Sequence, residues 1–340
     1  MPDVWGPSEP DTTTRPARRP GAEGGLSGCG APVSAAVRRA RLGILRRTMI
    51  KTSRPDGTLV PDVPHFLRIL PYLIPKRTDA SVFLEQEFDI THTREFIRAY
   101  NREHPGTLSF FQLFLSAAVR TIALRPKLNR FVSGYRLYQR NEILLSFVVK
   151  KELTEAGQEF LVTVPFRPDD TLAMASARIA DHIVRTQSGD APRSDAANVL
   201  MTRLPSWMTR LAVRGMIGLD QQNLMPGSFL TSLPFYSTAN ITNLGSVGVD
   251  APLHHMMNVG TCGFFVAIGM ARNRPVLDDD GTVVMRDRVR ITFTFDARIV
   301  DGIYCARGIK LLRSFVERPE QLEEPLELTR EQRAELMLKA

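Results

Sequence analysis

The sequence predicts an α/β fold, and three observations carry that expectation. In Val289 to Gly302, VRITFTFDARIVDG, residues Val289, Ile291, Phe293 and Phe295 alternate with Arg290, Thr292, Thr294 and Asp296. That period of two, in β-branched and aromatic residues, belongs to a half-buried strand. Past the Asp301-Gly302 join the period changes: Cys305, Ile309, Leu312 and Val316 form one apolar stripe of a helix, with Asp301 placed to cap its start. The third observation is a pair of apolar runs of different lengths. SFFQLFLSAAVRTIAL, within Leu108 to Leu124, reads as a central core helix, and TCGFFVAIGMA reads as a fully buried strand. A strand that turns sharply into a helix is a good mount for reactive side chains, so the 289–302 join is the first candidate site.

The remaining elements follow in order. Residues 1–34 are rich in Pro, Gly, Thr and Arg without periodicity; they cannot bury enough apolar surface to offset ordering, and they read as a disordered basic leader. Residues 35–60 read as an N-terminal helix and loop. AAVRRARLGILRRTMIK is basic and amphipathic, with Leu42, Leu45 and Met49 as its apolar edge; it either docks on the domain or lies on a membrane surface. RPDGTLVPDVPHF carries turn signals and is expected to be a loop. The main domain is expected over 61–318. Ser81 to Ile90 is a strand, and THTREFIRAYNREH a helix capped by Thr91 and buried along Phe96, Ile97 and Tyr100. Pro126 ends the 108–124 helix, and RFVSGYRLYQR, EILLSFVVKKEL and EFLVTVPF supply short strands. A second long helix runs from Asp170 to Thr186.

Residues 196–230 form a Met-rich helical insertion with Trp207 and with Arg203, Arg210 and Arg214 spaced along it, its apolar face broken at Pro205. It reads as a helical hairpin packed on the domain or a neighbouring subunit, or as an adaptable lid over an apolar acyl ligand or a membrane contact. Tyr236 to Asn243 is a strand ending in ITNLGSVG, where Gly245 and Gly248 permit a tight turn. RPVLDDDGTVVMRDR is a hairpin with Asp280-Gly281 at its tip. Residues 319–340 form a charged C-terminal tail, expected to be a loosely attached helix.

Composition narrows the function classes. An apolar content of 43% with 24% charged residues suits a globular protein with a sizeable core. No apolar run reaches the length of about 18 residues needed to span a membrane, and the N-terminus lacks a secretory h-region. Cys29, Cys262 and Cys305 are odd in number and far apart, which gives neither a disulfide framework nor a metal pattern, and points to a cytoplasmic protein with reduced thiols and no metal. The net charge of +8 is concentrated in residues 1–54, which hold ten Lys/Arg and four Asp/Glu. The rest is close to neutral, so nucleic acid is not an expected partner.

The order ITNLGSVG, GFFVAIG, hairpin, ITFTFDARIVDG and a helix ending near RPEQL resembles the catalytic domain of the 2-oxo acid dehydrogenase acyltransferases, a fold shared with chloramphenicol acetyltransferase. LRPKLNRFVSG is similar to a further stretch of that family. The resemblance covers roughly residues 60–318 and is closest to stand-alone members, with no recognisable lipoyl domain ahead of it. It implies a two-layer sandwich, a mixed sheet under helices, assembled as a homotrimer with coenzyme A as acyl carrier. The family motif Asp-His-Arg-x-x-Asp-Gly stands here as Asp296, Ala297, Arg298, Ile299, Val300, Asp301 and Gly302, so alanine replaces the family's general base. Losing such a base costs about 10²–10⁴-fold in rate.

The resemblance places Thr242, ahead of Asn-Leu-Gly, as the hydrogen-bond donor to the tetrahedral intermediate, and Asn243 and Gly245 as candidate contacts to the acyl-CoA. Asp301 matches the second motif Asp, which holds an arginine in the family; a helix cap alone explains it equally well. His254 and His255 offer a replacement base or a purely structural pair. Cys262 and Cys305 read as small buried apolar residues. Two functions stay open: a CoA-dependent acyltransferase with a degenerate motif, and a non-catalytic trimeric scaffold or acyl-CoA- or lipid-binding relative.

Overall fold

In the computed structural model, residues 53–104, 106–150, 159–187 and 203–338 are described. The leader, the helix expected over Ala35 to Lys51, and the start of the 196–230 insertion lie outside them. Among the described residues, nine strands form two sheets. β1 (Gly57–Leu59), β4 (Arg136–Arg140) and β3 (Arg130–Ser133) make a small antiparallel sheet. The main sheet has six strands in the order β2 (Ser81–Asp89), β9 (Val283–Asp296), β8 (Phe264–Leu277), β7 (Ala239–Asn243), β5 (Ile143–Lys150) and β6 (Glu159–Phe166). β7 runs parallel to both β5 and β8, while the other neighbours are antiparallel, so the sheet is mixed as expected.

One face of this sheet is the core. α3 (Phe110–Leu124) presents Leu113, Phe114 and Ala117 to Phe147, Val162, Ile241, Val266 and Phe293. α4 (Leu172–Gln187) and α7 (Gly302–Glu317) join the same layer through Ile179 and through Cys305, Leu312 and Val316. Ser109 starts α3 with a reciprocal capping box to Gln112, a cap worth about 1 kcal/mol. α2 (Thr91–Glu103) caps differently from the expectation. Ile90 takes the cap position without a side-chain bond, and the Thr91 hydroxyl instead accepts from the Asp287 amide at 2.9 Å.

Three stretches differ from the sequence reading, each through tertiary packing. The expected loop over Arg54 to Phe66 contains β1, recruited by pairing with β4, and the start of α1 (His65–Leu73). β9 is buried on both faces at its C-terminal end, because the segment 250–262 covers Thr292, Thr294 and Asp296. The C-terminal tail is docked rather than loose: Leu322 and Leu336 are fully buried, and α8 (Arg330–Leu336) starts with a Thr329–Gln332 capping box. The described part of the insertion holds two helices, α5 (Ser206–Gln221) and α6 (Gly227–Ser232), with Pro205 at the α5 N-cap. α5 leaves Trp207, Leu211 and Leu219 exposed.

β8 and β9 outrun the sheet. β2 pairs with β9 only as far as Asp89–Arg288, so the pairs from Asn273–Asp287 to Leu277–Val283 form a two-stranded ribbon closed by the Asp278–Thr282 turn.

Candidate active site

Alternate residues of the central strands face away from the helices, as the pleat requires. Ser146 of β5, Asn240 and Thr242 of β7 and Phe265 of β8 therefore look onto the back of the sheet, where the segment 250–262 crosses it. Two threonines of β9 fasten that segment. Thr292 donates to the Pro252 carbonyl and Thr294 to the His254 carbonyl, both at 2.6 Å. Between sheet and segment lies a cavity of about 300 Å³ lined by Thr242, His254, His255 and Cys262 and by apolar side chains that include Phe147, Leu161, Met256 and Phe265.

The two histidines are not equivalent. The His254 ring lies flat on Phe265, with centroids 3.9 Å apart, and its Nδ1 is 2.6 Å from the His255 carbonyl oxygen. A carbonyl can only accept, so Nδ1 carries a proton, and in the neutral ring the lone pair is on Nε2. That is the tautomer of a base. His255 is exposed and stacks on the outer side of His254, with centroids 5.3 Å apart. Cys262 is buried, with Sγ 3.0 Å from the Phe264 carbonyl.

Asn243 and Gly245 do not line this cavity. The Asn243 carbonyl accepts from the Ser246 hydroxyl at 2.8 Å within the turn after β7. Gly245 is where that turn meets the β8 backbone: a Cβ there would sit 2.5 Å from the Gly269 carbonyl oxygen. Their evident work is to let the turn pack.

Asp301 and Ala297 also stand apart from Thr242. Asp301 is exposed at the N-cap of α7 and accepts from the Tyr304 amide at 2.8 Å, with no arginine among its bonded partners in the described residues. The arginine is held by Asp296 instead. Its carboxylate accepts from Arg298 Nε at 2.8 Å and from an Arg298 terminal nitrogen at 2.6 Å, and Arg298 donates on to the Pro75 carbonyl at 2.9 Å. Arg77 approaches the same carboxylate at 3.6 Å and clamps the 257–260 segment by donating to the Met257 and Gly260 carbonyls at 2.9 and 2.5 Å. Burial lowers the Arg77 pKa, against the pull of Asp296. Ala297, half-buried between them, contributes its backbone amide to the Ala80 carbonyl. Cys305 is buried in the helical layer. Burial first, and then the Asp301 carboxylate, push its thiol up to about 12, so it is no nucleophile.

Residues 236–323 match the family model described as 2-oxoacid dehydrogenases acyltransferase (catalytic domain). Over those residues the chain is similar to the acyltransferase catalytic domain of the 2-oxo acid dehydrogenases. A lipoamide acyltransferase component of the branched-chain alpha-keto acid dehydrogenase complex of Bacillus subtilis is 22% identical over 236 residues, which are 68% of this chain and 45% of that protein. The chain thus spans about half the length of the curated relatives it matches. A solved structure of Azotobacter vinelandii dihydrolipoamide acetyltransferase, studied for the roles of a serine, a histidine and an asparagine in its catalytic mechanism, superposes with a TM-score of 0.50 at 17% identity, covering 78% of this chain and 94% of that one. A chloramphenicol acetyltransferase covers 76% of this chain and 99% of its own, with a TM-score of 0.44 at 13% identity.

The structure brings Thr242, His254 and His255 together and leaves Asp301, Asn243 and Gly245 elsewhere. Sequence reasoning missed Arg77 and the anchoring threonines. Thr292 and Thr294 read only as the outward face of a strand, and Arg77 stands in PKRTD with no pattern to mark its burial.

Proposed function

We propose that the Thr242 cavity carries out acyl transfer from coenzyme A to a nucleophilic acceptor, with His254 as the base. The observation that supports this reading is that Thr242 and His254 line one cavity while Nδ1 of His254 is tied to a carbonyl. In the proposed step, His254 Nε2 takes a proton from the acceptor as its lone pair attacks the thioester carbonyl carbon. The Thr242 hydroxyl donates to the resulting oxyanion, a contribution of about 3 kcal/mol where such a donor is well placed. Collapse breaks the C–S bond, and the imidazolium returns its proton to the departing thiolate.

The apolar lining favours an apolar acyl group. At about 300 Å³, the cavity is larger than the roughly 150 Å³ engineered void that accepts benzene. A homotrimer is proposed from the family relationship; light scattering on the purified chain gives the mass directly.

The test incubates the purified protein with acyl-CoAs of increasing chain length and a panel of alcohol, amine and thiol acceptors, following free thiol. Acceptor-dependent thiol release that falls about 10²–10⁴-fold in His254→Ala, and falls in Thr242→Ala, supports the reading. Release that survives both changes rejects it. Ala297 favours a second reading, a non-catalytic acyl-CoA-binding relative. That reading gains if acyl-CoA binds without turnover and Ala297→His creates activity.

A further inference from the structure

A second cavity, of about 350 Å³, lies behind the first. The two share a wall one chain thick. Phe235, Met257 and Val259 face the Thr242 cavity, while their neighbours Tyr236, Asn258 and Gly260 face the second one. The second cavity differs in chemistry: its charged lining is Lys76, Arg77, Arg298 and Asp220.

The charge around it does not balance. Asp220 pairs with Arg54 at 2.9 Å, its Oδ1 lying without a hydrogen-bond partner among the described residues, and Arg54 also pairs with Asp56 at 2.9 Å. Asp56 is 3.7 Å from the fully buried Arg140, and Asp296 serves both Arg298 and Arg77. Four buried arginines therefore face three carboxylates, and Lys76 at the rim has no ion pair among the described residues. Arg77 carries the surplus. It is 6% exposed and lines the cavity, yet its Nε has no hydrogen-bond partner among the described residues, only the Asp296 oxygen at 3.6 Å. A buried donor left open, in a cation-rich cavity, is expected to be completed by an acceptor.

The opposite wall is fixed in place. Ser133 pairs with Arg136 across the two-residue Gly134-Tyr135 turn, in which both residues have positive φ, 53° and 63°. This is the backbone of a type I′ hairpin, and tyrosine is an unusual occupant of its second position. Tyr135 stacks on Tyr72 at 5.0 Å, and a Cβ on Gly134 would meet the Gln221 carbonyl oxygen at 2.1 Å, so turn, α1 and α5 are held against one another.

We infer that this second cavity binds a small oxyanion, a carboxylate or phosphate group, received by the Arg77 guanidinium from within and the Lys76 ammonium at the rim. The site is independent of acyl transfer in the Thr242 cavity. Through Arg77, which holds the carbonyls of Met257 and Gly260, the bound anion also braces the wall between the two cavities.

The experiment titrates phosphate, pyrophosphate and malonate into the full chain at constant ionic strength, with chloride as the compensating anion, and reads binding heat and Tm. Saturable binding by at least one of the three, weakened about tenfold or more in Lys76→Ala and unchanged in Thr242→Ala, is the expected result. Lys76 is exposed, so the variant keeps its fold, and an unshifted Tm without ligand verifies that. Preference for malonate over the phosphates, or the reverse, identifies the oxyanion class. No saturable heat above the chloride control, or equal affinity in Lys76→Ala, overturns the proposal.

Discussion

The Thr242 cavity and the Asp296–Gly302 turn stand apart in the fold and differ in what they hold. The cavity holds groups that can do chemistry, a hydroxyl and an oriented imidazole at the back of the sheet. The turn keeps architecture. Asp296 and Arg298 remain, buried and bidentate, and Asp301 caps a helix, but the residue between them carries no functional group. The structure around Ala297 is stabilised by the ionic lock and the cap, neither of which needs a histidine. The turn therefore stands without a general base at its centre, and architecture and chemistry are separable here.

Separability can be broken by measurement. The largest expected effect is on the lock. Asp296→Ala leaves Arg298 buried without its carboxylate and removes the carboxylate 3.6 Å from Arg77, and should cost about 3–5 kcal/mol in urea unfolding. His254→Ala should shift stability by less than about 1 kcal/mol, because a partly exposed side chain outside the core is removed. If the two variants are equally destabilised, the division between architecture and chemistry fails.

A smaller effect concerns pH. The Cys305 thiol is raised from its ordinary 9.0 to about 12 in the folded chain, so between those values the unfolded state has lost a proton that the folded state keeps. Stability then falls with rising pH in that window, with a slope of at most about 1.4 kcal/mol per pH unit from this group. Cys305→Ala should flatten that slope. The smallest effect belongs to the cap. Asp301→Ala should cost about 1 kcal/mol and leave any acyl-transfer rate within twofold, because its bonded partner is the Tyr304 amide. A large loss of rate would return Asp301 to the reacting centre.

Much of this was legible in the sequence where one physical signal dominated. The 289–316 strand-turn-helix, the apolar α3 and the Asp280-Gly281 hairpin follow from periodicity and turn chemistry, and each stands where its pattern placed it. Asp301 showed two readings, and the structure supplies the cap. What stayed hidden depends on partners distant in sequence. β1 exists because β4 offers it an edge, Leu336 is buried because the tail folds back onto the domain, and the value of His254 rests on Phe265 beneath it and the neighbouring carbonyl. The histidine pair was visible; which of the two is oriented was not.

The β8–β9 hairpin carries one more consequence. Its strands are continuous, but their surroundings are not: near Phe264–Phe295 the pair is flanked on both sides by further strands, while from Asn273–Asp287 outward it stands as a lone ribbon with Leu277, Val283 and Met285 exposed. Two-stranded ribbons are marginal by themselves. Amide hydrogens along a single strand should therefore exchange in two regimes, those near Phe293 only on global unfolding and those near Val284 by local fraying. The break between the regimes should fall at Arg288, where β2 ends its pairing.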